Sequence, residues 1–275
     1  MIREIFTISF FGFLSFSLPL FSLITWFLIL RFVSPYFRSG FSRVAGWTSR
    51  NETIRYSSLA LTPVIFATCG LIAAGFAVLF ELMFMVGVSV FAADQEFILM
   101  MTLVSAGPIE ECVKFLLASL LFVLVYYLGR KRKGGNGTVD GIICGLVVGA
   151  SFGLLESFLY LAQGFSNLSS SGPDYITLDP ILWRFILGVS IHAVFTGIAT
   201  SGIGRKKWTS KISFTLLGLS IAIFMHSLNN GVQGIVALNS NMYEIGPVLL
   251  IDVIQIFLVA LDFAILAVLW RRAKT

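Results

Sequence analysis

Long apolar runs separated by short polar clusters dominate this chain. Runs of roughly twenty or more residues recur from Ile5 to Trp270, without the alternation of polar and apolar positions that is typical of a strand. A helix needs about twenty apolar residues to cross the hydrocarbon core of a bilayer. The pattern therefore predicts seven membrane-spanning helices, at 5–31, 58–90, 98–128, 138–164, 181–204, 212–238 and 247–270.

Basic residues predict the orientation of these spans. Of the 19 Lys and Arg residues, 16 follow spans one, three, five and seven, whereas acidic residues such as Asp94, Asp174 and Glu244 fall in the other connections. Short loops rich in Lys and Arg stay in the cytoplasm. We therefore expect an external N-terminus and a cytoplasmic C-terminus.

The composition indicates the same class of protein. Of the 275 residues, 57% are hydrophobic and 12% are charged, and the mean hydropathy is +0.92. The net charge of +5 does not indicate a nucleic-acid partner, because the basic residues form the loop clusters that orient the spans. We expect an all-α, multi-pass integral membrane protein, a bundle of about seven transmembrane helices in contact with the lipid bilayer and with no nucleic-acid partner.

Ionisable side chains interrupt four of the apolar runs. Each costs about 3 kcal/mol or more inside a bilayer, so the default interpretation is functional. At about 1.5 Å per residue, four of them lie about 18 to 27 Å from the cytoplasmic helix ends, in one layer. These four are Glu110, Glu156, His192 and His226. Glu111 and Lys114 accompany Glu110, and Thr196 and Asn230 follow the two histidines by one helical turn.

Small residues at every fourth position predict close helix packing near this layer. The fourth run carries Gly141, Gly145, Gly149 and Gly153, and Glu156 follows three residues later. Such stripes let membrane helices approach backbone to backbone. Polar groups beside a stripe then face a neighbouring helix rather than lipid.

Two other positions carry local expectations. Pro108 precedes the glutamate pair, and proline is favoured in the first turn of a helix, so it is expected to start the inserted helix. Glu81 falls near the end of an unusually long apolar run and is expected at the membrane interface.

The four motifs, in this order, resemble those of the PrsW family of intramembrane proteases. That family stands in a wider group with the CAAX prenyl proteases, the bacteriocin-processing membrane proteins and the Aph-1 subunit of gamma-secretase. The likeness covers roughly residues 105–235, and Ser157 and Ser227 stand where relatives often have Asn and Gly. The matching residues are Glu110-Glu111-Cys112-Val113-Lys114, Phe152 to Glu156, His192 with Thr196, and His226 to Asn230.

The resemblance implies an intramembrane endopeptidase in a prokaryotic cytoplasmic membrane, with a membrane protein or peptide as its substrate. It implies a catalytic four-helix core at 98–238, preceded by two helices with a basic cytoplasmic loop at 1–97 and followed by a helix and a basic tail at 239–275. The implied catalytic residues are Glu110, Glu111, Glu156, His192, His226 and Asn230. Lys114, Thr196 and Phe152 are implied as supporting residues.

Two mechanisms of hydrolysis stay open at this stage. Without a metal, Glu110 and Glu156 would activate a water molecule, and His226 and Asn230 would face the substrate carbonyl oxygen. With Zn²⁺, His192, His226 and either Glu156 or Glu110 would hold the ion, and the second glutamate would act as the base.

Two other classes of function are also compatible with buried polar residues. One is a non-catalytic scaffold like Aph-1, which the three retained glutamates Glu110, Glu111 and Glu156 disfavour. The other is a proton-coupled transporter, which the lack of an inverted repeat in the sequence disfavours. A protease is therefore the favoured hypothesis.

Overall fold

The computed structural model describes residues 57–91, 94–128, 137–171, 188–205, 208–238 and 245–274. Regular structure in these ranges is helical throughout, and each helix corresponds to one of the predicted spans two to seven. The first predicted span, 5–31, lies outside the described residues. The helices are α1 (Ser57–Phe91), α2 (Gln95–Leu128), α3 (Gly137–Ser171), α4 (Val189–Ala199, continued by a 3-10 turn at Thr200–Gly202), α5 (Trp208–Leu238) and α6 (Ile245–Lys274).

Three of the described helices contain a stretch long and apolar enough to cross a membrane. These stretches are Thr68–Phe91 in α1, Gly137–Tyr160 in α3 and Ser210–Val232 in α5, and α4 adds a shorter apolar helix. The all-helical class of an integral membrane protein is thus confirmed. The count of seven spans and the orientation stay predictions.

The short helix α4 lies at the centre of the described bundle. It packs against α2, α3, α5 and α6, and every residue in it except Ser190 is buried. The outer helix α1 packs chiefly against α2 and α3. Side chains on α4 therefore face neighbouring helices rather than lipid.

The glycine stripe of α3 brings this helix against the backbone of α4. A Cβ added at Gly149 would collide with the backbone carbonyl of His192, and one at Gly153 would lie 2.9 Å from the His192 ring. Gly141 and Gly145 face Thr200 in the same way. The predicted packing role is confirmed, and its consequence is that α3 approaches the helix carrying His192 closely.

Pro108 lies inside α2, so the expectation that it starts a helix is wrong. Proline has no N–H and therefore leaves the carbonyl of Val104, four residues earlier, without its helical donor. Ser227 of α5 donates its hydroxyl to this carbonyl, with an Oγ–O distance of 2.9 Å. An unsatisfied carbonyl is costly within a membrane, so this hydrogen bond compensates for the proline and joins α2 to α5 beside His226.

Substitution of Ser227 by alanine is expected to lower the free energy of unfolding by about 1–2 kcal/mol, because the Val104 carbonyl would lose its donor. Pro108→Ala in the same variant should recover much of this loss, since it restores a backbone N–H. Thermal unfolding in detergent of both single variants and the double variant measures the coupling. Ser119→Ala is the control, because that hydroxyl bonds the Phe115 carbonyl of its own helix. Additive effects would contradict the pairing.

Candidate active site

One turn of α2 carries a buried cation between two carboxylates. The side chains of Lys114 and Glu111 are fully buried, and Glu110 is nearly so. Lys114 Nζ lies 2.6 Å from Glu111 Oε1 and 3.2 Å from Glu110 Oε2. The spacings of three and four residues place all three groups on one helix face. Each carboxylate therefore lies beside the same cation, and this single positive charge is shared between the two buried carboxylates.

His192 of α4 connects this cluster to Glu156 of α3. Lys114 Nζ lies 3.0 Å from His192 Nδ1, and an ammonium group has only donors, so Nδ1 accepts. In a neutral ring Nε2 then carries the proton and donates it to Glu156 Oε2 at 2.5 Å. Lys114, His192 and Glu156 therefore form a hydrogen-bonded path across three helices.

His226 of α5 is oriented by Glu111. Glu111 accepts from Lys114, from the Thr196 hydroxyl at 3.2 Å and from His226 Nδ1 at 2.9 Å. In a neutral ring His226 Nε2 then keeps its lone pair, and it lies 3.7 Å from Glu110 Oε2. A carboxylate behind a histidine in this way sets the tautomer and the direction of the ring.

Aromatic rings hold the two histidines in place. The Phe152 ring centroid lies 4.3 Å from Lys114 Nζ and 5.2 Å from the His192 ring centroid. Phe195 stacks on His226 with centroids 5.2 Å apart, and the two histidine rings meet edge to face at 5.0 Å. Phe152 therefore supports the site by covering both the ammonium and one imidazole.

A cavity of ≈ 240 Å³ adjoins the cluster. Its walls include Glu110, Glu156, Phe152 and Asn230. Asn230 thus joins the site because it lines the cavity. Glu111 and Thr196 join it through the hydrogen bonds that Glu111 accepts from Thr196 and from His226. The structure brings together all the residues expected from the sequence, namely Glu110, Glu111, Lys114, Phe152, Glu156, His192, Thr196, His226 and Asn230.

Glu81 of α1 is a site residue that the sequence reasoning missed. It lines the same cavity as Glu110 and Glu156, so it is a candidate member of the site, while its expected position at the membrane interface stays a prediction. A signal was present, because Glu81 lies near the middle of the apolar stretch Thr68–Phe91. An ionisable residue at that depth is functional by default.

Three side chains of the cluster form a donor set for a metal ion. Glu110, His192 and His226 each offer one ligand atom, and these atoms lie within 4.8 Å of one another. Two imidazoles and one carboxylate are a known catalytic zinc set. Glu111 and Glu156 bond the other histidine nitrogens, as outer carboxylates of metal sites do. The three side chains therefore have the ligand types and the spacing that a zinc-type ion needs, and binding of the ion through His192 Nδ1 would displace the Lys114 ammonium from that nitrogen.

Comparisons with known proteins give the same family as the motifs. Residues 58–262 match the model of the PrsW family, described as intramembrane metalloproteases. Protease PrsW of Halalkalibacterium halodurans is 29% identical over 112 residues, which are 40% of this chain and 46% of that protein. The match thus spans about half the length of this curated relative. No solved structure matches the chain.

Proposed function

Because the chain belongs to the PrsW family of intramembrane metalloproteases, we propose that it hydrolyses a peptide bond in or next to the membrane-spanning segment of another protein. One observation carries this proposal. Glu110 and Glu156 line a single cavity, and both make contacts with His192 inside a bundle of apolar helices. Peptide hydrolysis needs an activated water molecule and a proton donor for the leaving amine, and this pair of carboxylates can supply both.

We assign the proton transfers to Glu156. It lines the cavity, and the hydrogen bond from His192 Nε2 fixes the position of its carboxylate. In the proposed reaction Glu156 takes a proton from the water molecule whose oxygen attacks the carbonyl carbon. It returns that proton to the amine nitrogen as the carbon–nitrogen bond breaks.

We assign stabilisation of the carbonyl oxygen to Asn230, whose side-chain amide is a suitable donor for developing negative charge. It lines the cavity together with Glu110 and Glu156. Glu110, His192 and His226 would hold the metal ion. When bound there, the ion would act as a Lewis acid on the substrate carbonyl and as a source of activated water.

A metal-free version of the same hydrolysis is favoured by Lys114. Its ammonium group contacts Glu110 and His192, two of the three candidate ligands, and Glu111 as well. The cluster therefore already contains a cation, which offsets part of the negative charge of its carboxylates. In this version Glu110 and Glu156 act together on the water molecule, and His226 joins Asn230 at the carbonyl oxygen.

Metal content and cleavage, measured on the same samples, test the proposal. We expect the full chain in lipid vesicles to cleave single-span membrane peptides and to carry one zinc ion, which His192→Ala and His226→Ala should each remove. The chain has only these two histidines, so other imidazoles add no background. A chelator should abolish cleavage, and added Zn²⁺ should restore it.

The possible results separate the two mechanisms from failure of the proposal. Cleavage by a metal-free sample in the presence of the chelator would support the metal-free mechanism, in which Lys114 is the cation of the cluster. Unimpaired cleavage by both Glu110→Gln and Glu156→Gln would contradict the catalytic assignment. Absence of cleavage for every membrane peptide offered would contradict the proposed activity.

A further inference from the structure

The serine that follows His226 is a residue to which the sequence motifs assign no role. Ser227 is not among the residues that the resemblance implies as catalytic or supporting. In the structure its hydroxyl donates to the Val104 carbonyl of α2, which lacks its helical donor because of Pro108. A hydrogen bond between two helices therefore starts from the residue next to a candidate metal ligand.

The helices α2 and α5 approach each other closely at this hydrogen bond. A Cβ added at Gly107 would collide with Ser227 Oγ, and it would lie 2.8 Å from the Ser227 backbone nitrogen and 3.1 Å from the Ile223 carbonyl oxygen. Glycine thus permits backbone contact where the two helices cross. Because the backbone of a helix is stiff, a rotation of α5 at this crossing also moves the adjacent residue, His226.

His226 makes the neighbouring contacts between the same two helices. Its Nδ1 donates to Glu111 Oε1 at 2.9 Å, and its Nε2 lies 3.7 Å from Glu110 Oε2. The two glutamates follow Gly107 by three and four residues, which is about one helical turn, or roughly 5 Å, along α2. The crossing therefore lies one turn away from both carboxylates that His226 meets.

The surroundings of the Ser227 hydrogen bond favour its persistence. Ser227 lies within the apolar stretch Ser210–Val232, and Val104 is 41% exposed. Hydrocarbon offers no competing donor, so a carbonyl that loses the hydroxyl is left unsatisfied. The hydrogen bond therefore favours one rotation of α5 about its axis relative to α2.

We propose that Ser227 is a positioning residue of the site, because its bond to the Val104 carbonyl fixes α5 in the rotation that directs His226 Nε2 towards Glu110. The inference rests on the proposed function and deepens it, since Nε2 is the nitrogen that remains available while Nδ1 bonds Glu111. This role goes beyond compensation for Pro108. A backbone N–H at position 108 would satisfy the same carbonyl without joining the two helices.

Histidine NMR of the metal-free protein tests this role without cleavage. The full chain with isotope-labelled histidine, in lipid vesicles, gives signals from only two imidazoles. They differ in tautomer, because His226 carries its proton on Nδ1 and His192 carries it on Nε2. In Ser227→Ala the His226 Nδ1 proton should move upfield, since its hydrogen bond to Glu111 lengthens. Ser119→Ala is the control and should leave both signals unchanged, because that hydroxyl bonds a carbonyl of its own helix.

Replacement of Pro108 separates position from stability. The double variant Ser227→Ala with Pro108→Ala regains a backbone N–H for the Val104 carbonyl but not the hydrogen bond between the helices. Its His226 signal should therefore stay where Ser227→Ala places it. Pro108→Ala alone should keep the wild-type signal, because a carbonyl oxygen has two lone pairs and the hydroxyl retains its acceptor. A return of the signal in the double variant, or an equal shift in Pro108→Ala alone, would overturn the proposal.

Zinc affinity gives a second measurement on the same variants. Ser227→Ala should weaken zinc binding about tenfold, the lower end of the usual effect of groups that orient metal ligands. Competition with a chelator of known affinity, below the unfolding temperature of the variant, measures this loss. In cleavage assays kcat should fall about tenfold while KM stays near the wild-type value, because the cavity walls are unchanged. Equal zinc affinities of Ser227→Ala and Ser119→Ala would contradict the proposal.

The inference and the proposed function fail in different ways. A shifted His226 signal in Ser227→Ala, together with neither zinc binding nor cleavage by the wild type, would retain the positioning role and contradict the function. Cleavage by the wild type, together with an unmoved His226 signal in Ser227→Ala, would retain the function and overturn the positioning role.

Discussion

Replacement of Glu156 by glutamine is expected to lower the rate of peptide cleavage by a factor of about 10²–10⁴, the usual contribution of a positioned general base or acid. Glutamine has nearly the same shape, and its amide oxygen can still accept from His192 Nε2. The substitution therefore removes proton transfer while the hydrogen bond that now spans 2.5 Å can persist in weaker form.

Initial cleavage rates in lipid vesicles, normalised to the amount of folded protein, measure this effect. The unfolding temperature of Glu156→Gln should stay close to that of the wild type, because no buried charge is left without a partner. Glu96→Gln is the matched control, since Glu96 is an exposed carboxylate in the first turn of α2. A rate for Glu156→Gln that is indistinguishable from the control would contradict the assignment.

Replacement of Lys114 by methionine is expected to lower the free energy of unfolding by about 3–5 kcal/mol, because it leaves buried carboxylates without their cation. The affected groups are Glu111, 2.6 Å from the ammonium nitrogen, and Glu110, 3.2 Å from it. Methionine is similar in length, so the loss reflects charge rather than a large cavity. Denaturant unfolding in detergent measures it.

A second substitution separates charge from packing at this position. Glu111→Gln in the Lys114→Met background should restore part of the stability, because it removes one of the uncompensated charges. Lys211→Met on α5, where the lysine is half-exposed, should cost less than about 1 kcal/mol. A double variant that is less stable than Lys114→Met alone would contradict this account of the cluster.

The existence and the limits of most described helices were predictable from run length. The predicted span 98–128 compares with α2 at Gln95–Leu128, and 212–238 compares with α5 at Trp208–Leu238. The prediction works because a membrane requires every backbone group to be bonded within its own segment, which leaves the helix as the default for an apolar run. Depth along each helix then follows from counting residues, so Glu110, Glu156, His192 and His226 could be placed in one layer.

The partners within that layer were less accessible to prediction. Sequence spacing suggested Lys114 beside both Glu110 and Glu111, but it could not show that Glu111 bonds His226 while Glu156 bonds His192. Those pairs depend on how each helix is rotated about its axis and on which helices are neighbours. Hydropathy carries little of this information, because lipid tails and packed side chains are equally apolar.

The helix α1 shows most clearly what sequence reasoning left out. A catalytic core at 98–238 would place α1 outside the site, and that division of the chain stays a prediction. Yet Ala74, Ala77 and Glu81 form a wall of the cavity that contains Glu110 and Glu156. The contact between α1 and α3 joins segments far apart in the chain, so the spacing of residues within either segment does not predict it.

The sequence by itself determined that this chain is a helical membrane protein of the PrsW family and which polar residues share one depth. The bilayer favours helices because a helix satisfies its own backbone hydrogen bonds. The constant rise per residue of a helix then gives the depth of each residue from its number in the sequence. The tertiary structure alone decided that Glu81 lines the cavity beside Glu110, that Ser227 satisfies the carbonyl left open by Pro108, and that the cavity lies among α1, α2 and α3. These features depend on lateral packing and helix rotation, which side-chain shape sets only once all the neighbouring helices are in place.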